Sequence, residues 1–212
     1  MSALSVLMEY YPYLFHPGVM VGGGLMVLMY LEWKRDGTGR GMLWKRYVTL
    51  AAVGTLSLLP TLAYMLATGQ GPVETMQGNA WQVDFLVAGG MALVAAVLWY
   101  LWRRFEWGTV VPGALEAMVA VTVPYAALSP VWNVSGHVIF ATMPTLYLVL
   151  VDRRFWPLLL VPAVMVPNRI YLDAHTWAQA IGGLLVASSL VVLVFGRRRD
   201  VSVTGVLDRA HG

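Results

Sequence analysis

The sequence has no cysteine and very little charge. Of its 212 residues, Asp, Glu, Lys and Arg make up 12% against 58% hydrophobic residues. Without cysteine there is no disulfide, no thiolate nucleophile and no thiolate metal site, so any chemistry falls to histidines, carboxylates, hydroxyls or arginines. The scarcity of charge, with a mean hydropathy of +0.67, excludes an ordinary soluble globular composition. The opening MSALSVLMEYYPYLF lacks a basic leader and carries Glu9, so it reads as an outer flank and not as a cleaved signal segment.

In place of charge stand long apolar runs. Runs of about 17 to 22 residues recur, enough to cross a hydrocarbon core of roughly 30 Å at 1.5 Å per residue. They fall near 12–32, 47–67, 82–102, 108–128, 134–151, 155–171 and 175–196. The pattern predicts an all-α polytopic transmembrane bundle of six or seven spans, seven when the weaker runs at 12–32 and 155–171 are both included. Backbone groups in lipid must be paired within the segment, and the period-two alternation of a membrane barrel is absent. No internal repeat or composition shift divides the chain, so residues 1–212 read as one integral domain. The run at 155–171 carries Pro157, Pro162 and Pro167. It is expected to be kinked and to end near Pro167.

The few basic residues are distributed unevenly. Thirteen of the fourteen Lys and Arg lie in the loops after the first, third and fifth spans or in the C-terminal tail, and Arg169 is the exception. The positive-inside tendency then puts the N-terminus outside and the C-terminus in the cytoplasm, with the plasma membrane the expected location. The pI near 9.3 is thereby explained by topology, and no nucleic-acid partner is expected. The bilayer itself is the expected partner, and the sequence leaves the oligomeric state open.

At the predicted outer ends of the spans sit Ser135, Gly136 and His137, then Asn168 and Arg169, then Asp173 and His175. A helix start at Ser135 offers unpaired N–H groups and a positive dipole end, and Gly136 allows close approach of an anion. Arg169 supplies a permanently charged fork suited to phosphate. Two imidazoles can share an in-line displacement, one attacking and one protonating the leaving oxygen. Together these residue types point to phosphoryl transfer. Gln179 lies one helical turn after His175, within reach of its ring but without charge to offer it. Asp173 is expected to cap the last helix, while Asp84 and the intramembrane Glu116 are possible auxiliary acids.

SGH at 135–137 followed by N-R-x5-H at 168–175 resembles the second and third signature motifs of the type-2 phosphatidic acid phosphatase family, membrane relatives of the vanadium haloperoxidases. The resemblance spans about 50 to 65 residues, within a core of about 82–196, and implies a lipid-phosphate or isoprenoid-diphosphate phosphatase or phosphotransferase. It implies that His175 is the nucleophile, His137 the general acid, and Ser135, Gly136, Arg169 and Asn168 the phosphate grip, with no metal and no cofactor. The substrate it implies is a membrane lipid phosphate or polyprenyl phosphate at the outer face. Two departures stand out. The family's Asp that orients the nucleophile is Gln179 here, and VPYAALSPVWNV, where the first motif's Lys and Arg-Pro belong, has no basic residue.

Three other readings remain open on the sequence. A catalytically degenerate or repurposed member of the same fold would account for Gln179 and the missing cations. A rhomboid-like intramembrane serine protease would pair Ser135 with His175, and NVSG with AHxxAxxxG is similar to that family's motifs. A non-enzymatic protein would use His16, His137 and His175 for a metal or haem. A retinal protein is disfavoured because the last span has no Lys.

Overall fold

A computed structural model describes residues 2–71, 75 and 81–210, with side chains described up to residue 198. The described residues form helices and turns with no strand. The helices are α1 (Ala3–Leu14), α2 (Pro17–Asp36), α3 (Arg40–Gly54), α4 (Leu59–Thr68), α5 (Trp81–Arg104), α6 (Val110–Trp132), α7 (Gly136–Val151), α8 (Leu160–Tyr171) and α9 (Trp177–Ala210). A 3-10 step at Thr55–Leu58 joins α3 to α4, and another at Arg153–Leu159 precedes α8.

Four stretches are long and apolar enough to cross a membrane: Arg40–Thr68, Trp81–Arg104, Val110–Trp132 and Trp177–Arg198. The pair α1 and α2, bent by 61° at its break, would make a fifth. The count of seven therefore resolves into three different situations. The first run is interrupted at Phe15 and His16, where Pro17 starts a new helix and His16 caps it. α7 is apolar but has only 16 residues. The proline-rich run is split, because Pro157 falls in the 3-10 segment and only 12 residues form α8. α8 also continues through Pro167 to Tyr171 instead of stopping there. One lost backbone donor disturbs that helix without ending it.

α6 and α7 form the centre. Leu115, Met118, Ile139, Phe140 and Met143 are fully enclosed, together with Leu28 and Met29 of α2 and Leu98 and Trp102 of α5. α5 lies along α6, while α2 and α9 flank α7. Gly24 of α2 faces the ring of Pro144 so closely that any side chain there would collide with it.

The basic segments gather at one end of this bundle. Arg198 of α9 donates to the Thr109 carbonyl, and Lys45 of α3 lies over the rings of Phe105 and Trp107. Glu32 of α2, almost wholly buried, accepts from the Trp102 indole at 2.8 Å and from the Val110 and Val111 backbone N–H groups at 2.5 and 3.4 Å. A carboxylate at the first turn of α6 answers the positive end of that helix. Gly108, at φ +126°, leaves the room it needs. The opposite end carries His16, His137 and His175.

Candidate functional site

Two tight turns bring the site residues together. α6 ends at Asn133, which adopts a left-handed conformation at φ +44° and donates its N–H to the Ser129 carbonyl. Asn tolerates that region better than most residues. Two residues later Ser135 starts α7, its own N–H reaching the Gln179 carbonyl at 3.4 Å. α7 can begin so close to α6 only because residue 136 is Gly, since a Cβ there would sit 2.5 Å from the Tyr125 hydroxyl. Gly182 and Gly183 do the same for α9, one against the Trp132 ring and the other against the Ser135 carbonyl.

The second turn closes α8. Asp173, at φ +51°, donates to the Ile170 carbonyl at 3.0 Å, and Ala174 donates to the Arg169 carbonyl at 3.0 Å. This pair of bonds is a Schellman closure with Asp173 in the left-handed position after the C-cap. Asp173 therefore terminates α8 and does not cap α9, as the sequence had suggested. That cap is Thr176. Its hydroxyl accepts from the Gln179 N–H at 3.3 Å, and the Gln179 side-chain oxygen accepts from the Thr176 N–H at 2.9 Å. The two form a reciprocal capping box.

His175 hangs between these turns. Its Nδ1 lies 3.1 Å from the Asn133 carbonyl oxygen. A carbonyl only accepts, so Nδ1 carries the proton and Nε2 keeps its lone pair. Burial, reinforced by the nearby Arg169 charge, lowers the His175 pKa to about 4, and the Asn133 carbonyl and neighbouring Gln179 offset only part of this. The ring is neutral at pH 7. Gln179 is not free to serve it as a dedicated acceptor, because its oxygen is committed to Thr176 and its amide nitrogen donates to the Trp132 carbonyl at 3.0 Å.

Near this ring stand Arg169 and His137, with His16 against His137. The Arg169 charge acts on both His137 and His175, and the rings of His16 and His137 meet edge to face at 5.8 Å. His16 accepts the Gly18 N–H on Nδ1 at 3.2 Å, which leaves its other nitrogen as the N–H. Arg169 has no hydrogen-bond or ion-pair partner among the described residues, and its Nε is buried. Ser135 is fully enclosed, and its hydroxyl neither caps α7 nor finds another partner among the described residues. Unsatisfied groups of this kind are expensive in a finished core and common where a ligand completes them. Tyr11, Val138, Met165, Val166 and Ala180 form an apolar cluster at the same end.

Other candidates lie elsewhere or play other parts. Asn168 turns away, donating to the Met8 carbonyl at 2.6 Å and tying α1 to α8, with its Oδ1 unpaired among the described residues. Asp84 stands behind the site, hydrogen-bonded by the Tyr125 hydroxyl that abuts Gly136. Glu116 is remote. It sits 16 residues before the end of α6, about 24 Å along the axis, and holds Arg198 in a two-toothed ion pair while accepting from Trp99 at 2.8 Å. No other Lys or Arg bonds to Ser135, Arg169 or His175 among the described residues. Ser135 and His175 share no hydrogen bond, so the serine–histidine pair of a protease is not formed. Among the described residues no group of three or more His, Asp or Glu side chains is gathered as a metal would require.

Asn133, Tyr125 and Thr176 were missed from the sequence. Thr176-x-x-Gln179 is a legible capping signal, whereas a backbone carbonyl as orienter and a hydroxyl folded over Gly136 leave no trace in spacing. Comparison with family models, with curated proteins and with solved structures finds no match to this chain.

Proposed function

We propose that the chain is a multi-pass membrane protein that binds a phosphate-bearing lipid at the histidine end of its bundle and transfers the phosphoryl group through His175. Arg169 carries this reading. A half-buried guanidinium with no acid partner among the described residues, whose charge reaches two imidazoles at the end of the bundle that also holds an unsatisfied serine hydroxyl, is a receptor for an oxyanion. In the proposed reaction the Nε2 lone pair of His175 forms a bond to phosphorus as the bond to the lipid alcohol oxygen breaks. That oxygen takes its proton from the N–H of the neutral His137 ring, whose other nitrogen takes a proton from a water molecule. The hydroxide left by that water then attacks phosphorus as the P–N bond breaks. Arg169, Ser135 and the first N–H groups of α7 hold the non-reacting oxygens.

In this reading all seven apolar segments enter the bilayer, with the arginine-rich end in the cytoplasm and the site at the outer face of the plasma membrane. The likeness of SGH and R-x5-H to the phosphatidic acid phosphatase motifs supports the same chemistry. One observation favours a second reading, binding without turnover: Gln179 is spent on Thr176 and Trp132, so no carboxylate stabilises His175 as it becomes charged. Phosphoryl transfer from lipid phosphates, prenyl diphosphates and lipid phosphodiesters, assayed with purified protein, separates the two. Turnover of one class, lost in His175→Ala, is expected. Saturable binding with no turnover of any class would leave only the second reading.

A further inference from the structure

The charge of the site sets a narrower limit on its ligand. Among the described residues Arg169 is its one permanently charged group. His175 presents a neutral ring with Nδ1–H on a carbonyl, and His16 has Nδ1 tied to the Gly18 N–H, so each offers one fixed nitrogen and no charge. Among the described residues no carboxylate forms an ion pair with Arg169, His16, His137 or His175. Behind the α7 start stands Asp84, hydrogen-bonded by the Tyr125 hydroxyl that abuts Gly136. The surroundings are apolar, formed by Tyr11, Val138, Met165 and Val166, with Phe15 at the edge. In such a medium an uncompensated charge is costly, so a receptor with one positive charge favours a ligand with one negative charge.

We propose that this site selects a singly charged phosphodiester over a doubly charged phosphate monoester or a diphosphate. The inference rests on the phosphate-site reading above and narrows its substrate class. The neutral rings of His16 and His137 have one N–H each to donate without adding charge, His175 presents its Nε2 lone pair to phosphorus, and Arg169 alone neutralises the diester. A dianion bound at the same site must either carry a proton in with it or leave one charge unmatched. Reaction at a diester would break one P–O bond and leave the second ester on the transferred group.

The test uses the full chain in nanodiscs of neutral lipid at pH 8, where a monoester carries two charges. Binding of dihexanoyl phosphatidylmethanol, a diester, is compared with dihexanoyl phosphatidic acid, and dimethyl phosphate serves as the soluble diester. The diester lipid is expected to bind at least about tenfold more tightly than the monoester of the same chain length, the ratio that one unmatched charge in a partly dry site would give. Dimethyl phosphate binding as tightly as the lipid would support the charge selection and assign the ligand to solution. Weaker dimethyl phosphate binding would support it and assign a lipid. His16→Asn keeps an acceptor for Gly18 and removes the imidazole, and should weaken diester binding about tenfold. Tighter binding of the monoester would overturn the charge inference while leaving the phosphate site standing. No saturable binding of any probe would overturn both.

Discussion

The imidazole Nδ1 of His175 lies 3.1 Å from the backbone carbonyl oxygen of Asn133, so the main chain orients the ring that the site depends on. A carbonyl can fix the tautomer of a histidine and present its Nε2, but it adds no net charge. That arrangement explains how a site without an orienting acid can still hold its central imidazole in one pose.

The same burial makes the titration of His175 a test. The folded-state pKa of about 4 lies below the usual 6.5, so the unfolded chain takes up this proton first as pH falls. Stability from the neutral ring is present above pH 6.5 and is lost between pH 6.5 and 4, by at most about 3 kcal/mol and by less after solvent screening. Imidazole NMR should show a midpoint near 4, and His175→Asn should flatten the slope of unfolding temperature over that interval. A midpoint at 6.5 or above would contradict the placement.

Gln179 should behave as a tie between turns. Its amide nitrogen donates to the Trp132 carbonyl, so Gln179→Glu sets a carboxylate oxygen against a carbonyl oxygen. A loss of about 1 to 3 kcal/mol is expected by denaturant titration. Equal or greater stability would mean that the Trp132 bond contributes nothing.

At the other end, Glu32 should matter for the fold and not for the site. Glu32→Gln replaces an acceptor that holds Trp102, Val110 and Val111 with an amide that can satisfy only part of them. The expected cost is about 1 to 3 kcal/mol in thermal unfolding. Glu116→Gln, far along α6 and paired with Arg198, should leave anion binding unchanged within twofold. A tenfold change would bring Glu116 back as a site residue.

Much of the arrangement is readable from the residues. The apolar runs mark the helices, because hydropathy and length are properties of each segment alone. The convergence of Ser135, His137, Arg169 and His175 follows once alternate helix ends are known to share a side. What resists reading depends on contacts between segments. The break at His16 arises where Pro17 begins a helix against α7, and the split before α8 depends on whether Pro157 or Pro167 bears the disruption. Asp173 fits both a helix start and a left-handed helix stop, and the hydrogen bonds of the turn decide between them. Glu32, in a run of apolar residues, gives no sign that it will meet the first turn of α6.

Arg169 tests the account most directly, because a group kept for a ligand costs stability when the ligand is absent. No side chain among the described residues bonds to it, so Arg169→Met leaves no partner stranded. Unfolding temperature is measured for both proteins at pH 6 with and without inorganic phosphate, which is mostly singly charged there. The variant is expected to be at least as stable as the parent without phosphate, with phosphate raising the parent's transition alone. A variant less stable by more than about 1 kcal/mol, with no phosphate effect on the parent, would contradict the account and make Arg169 a structural residue.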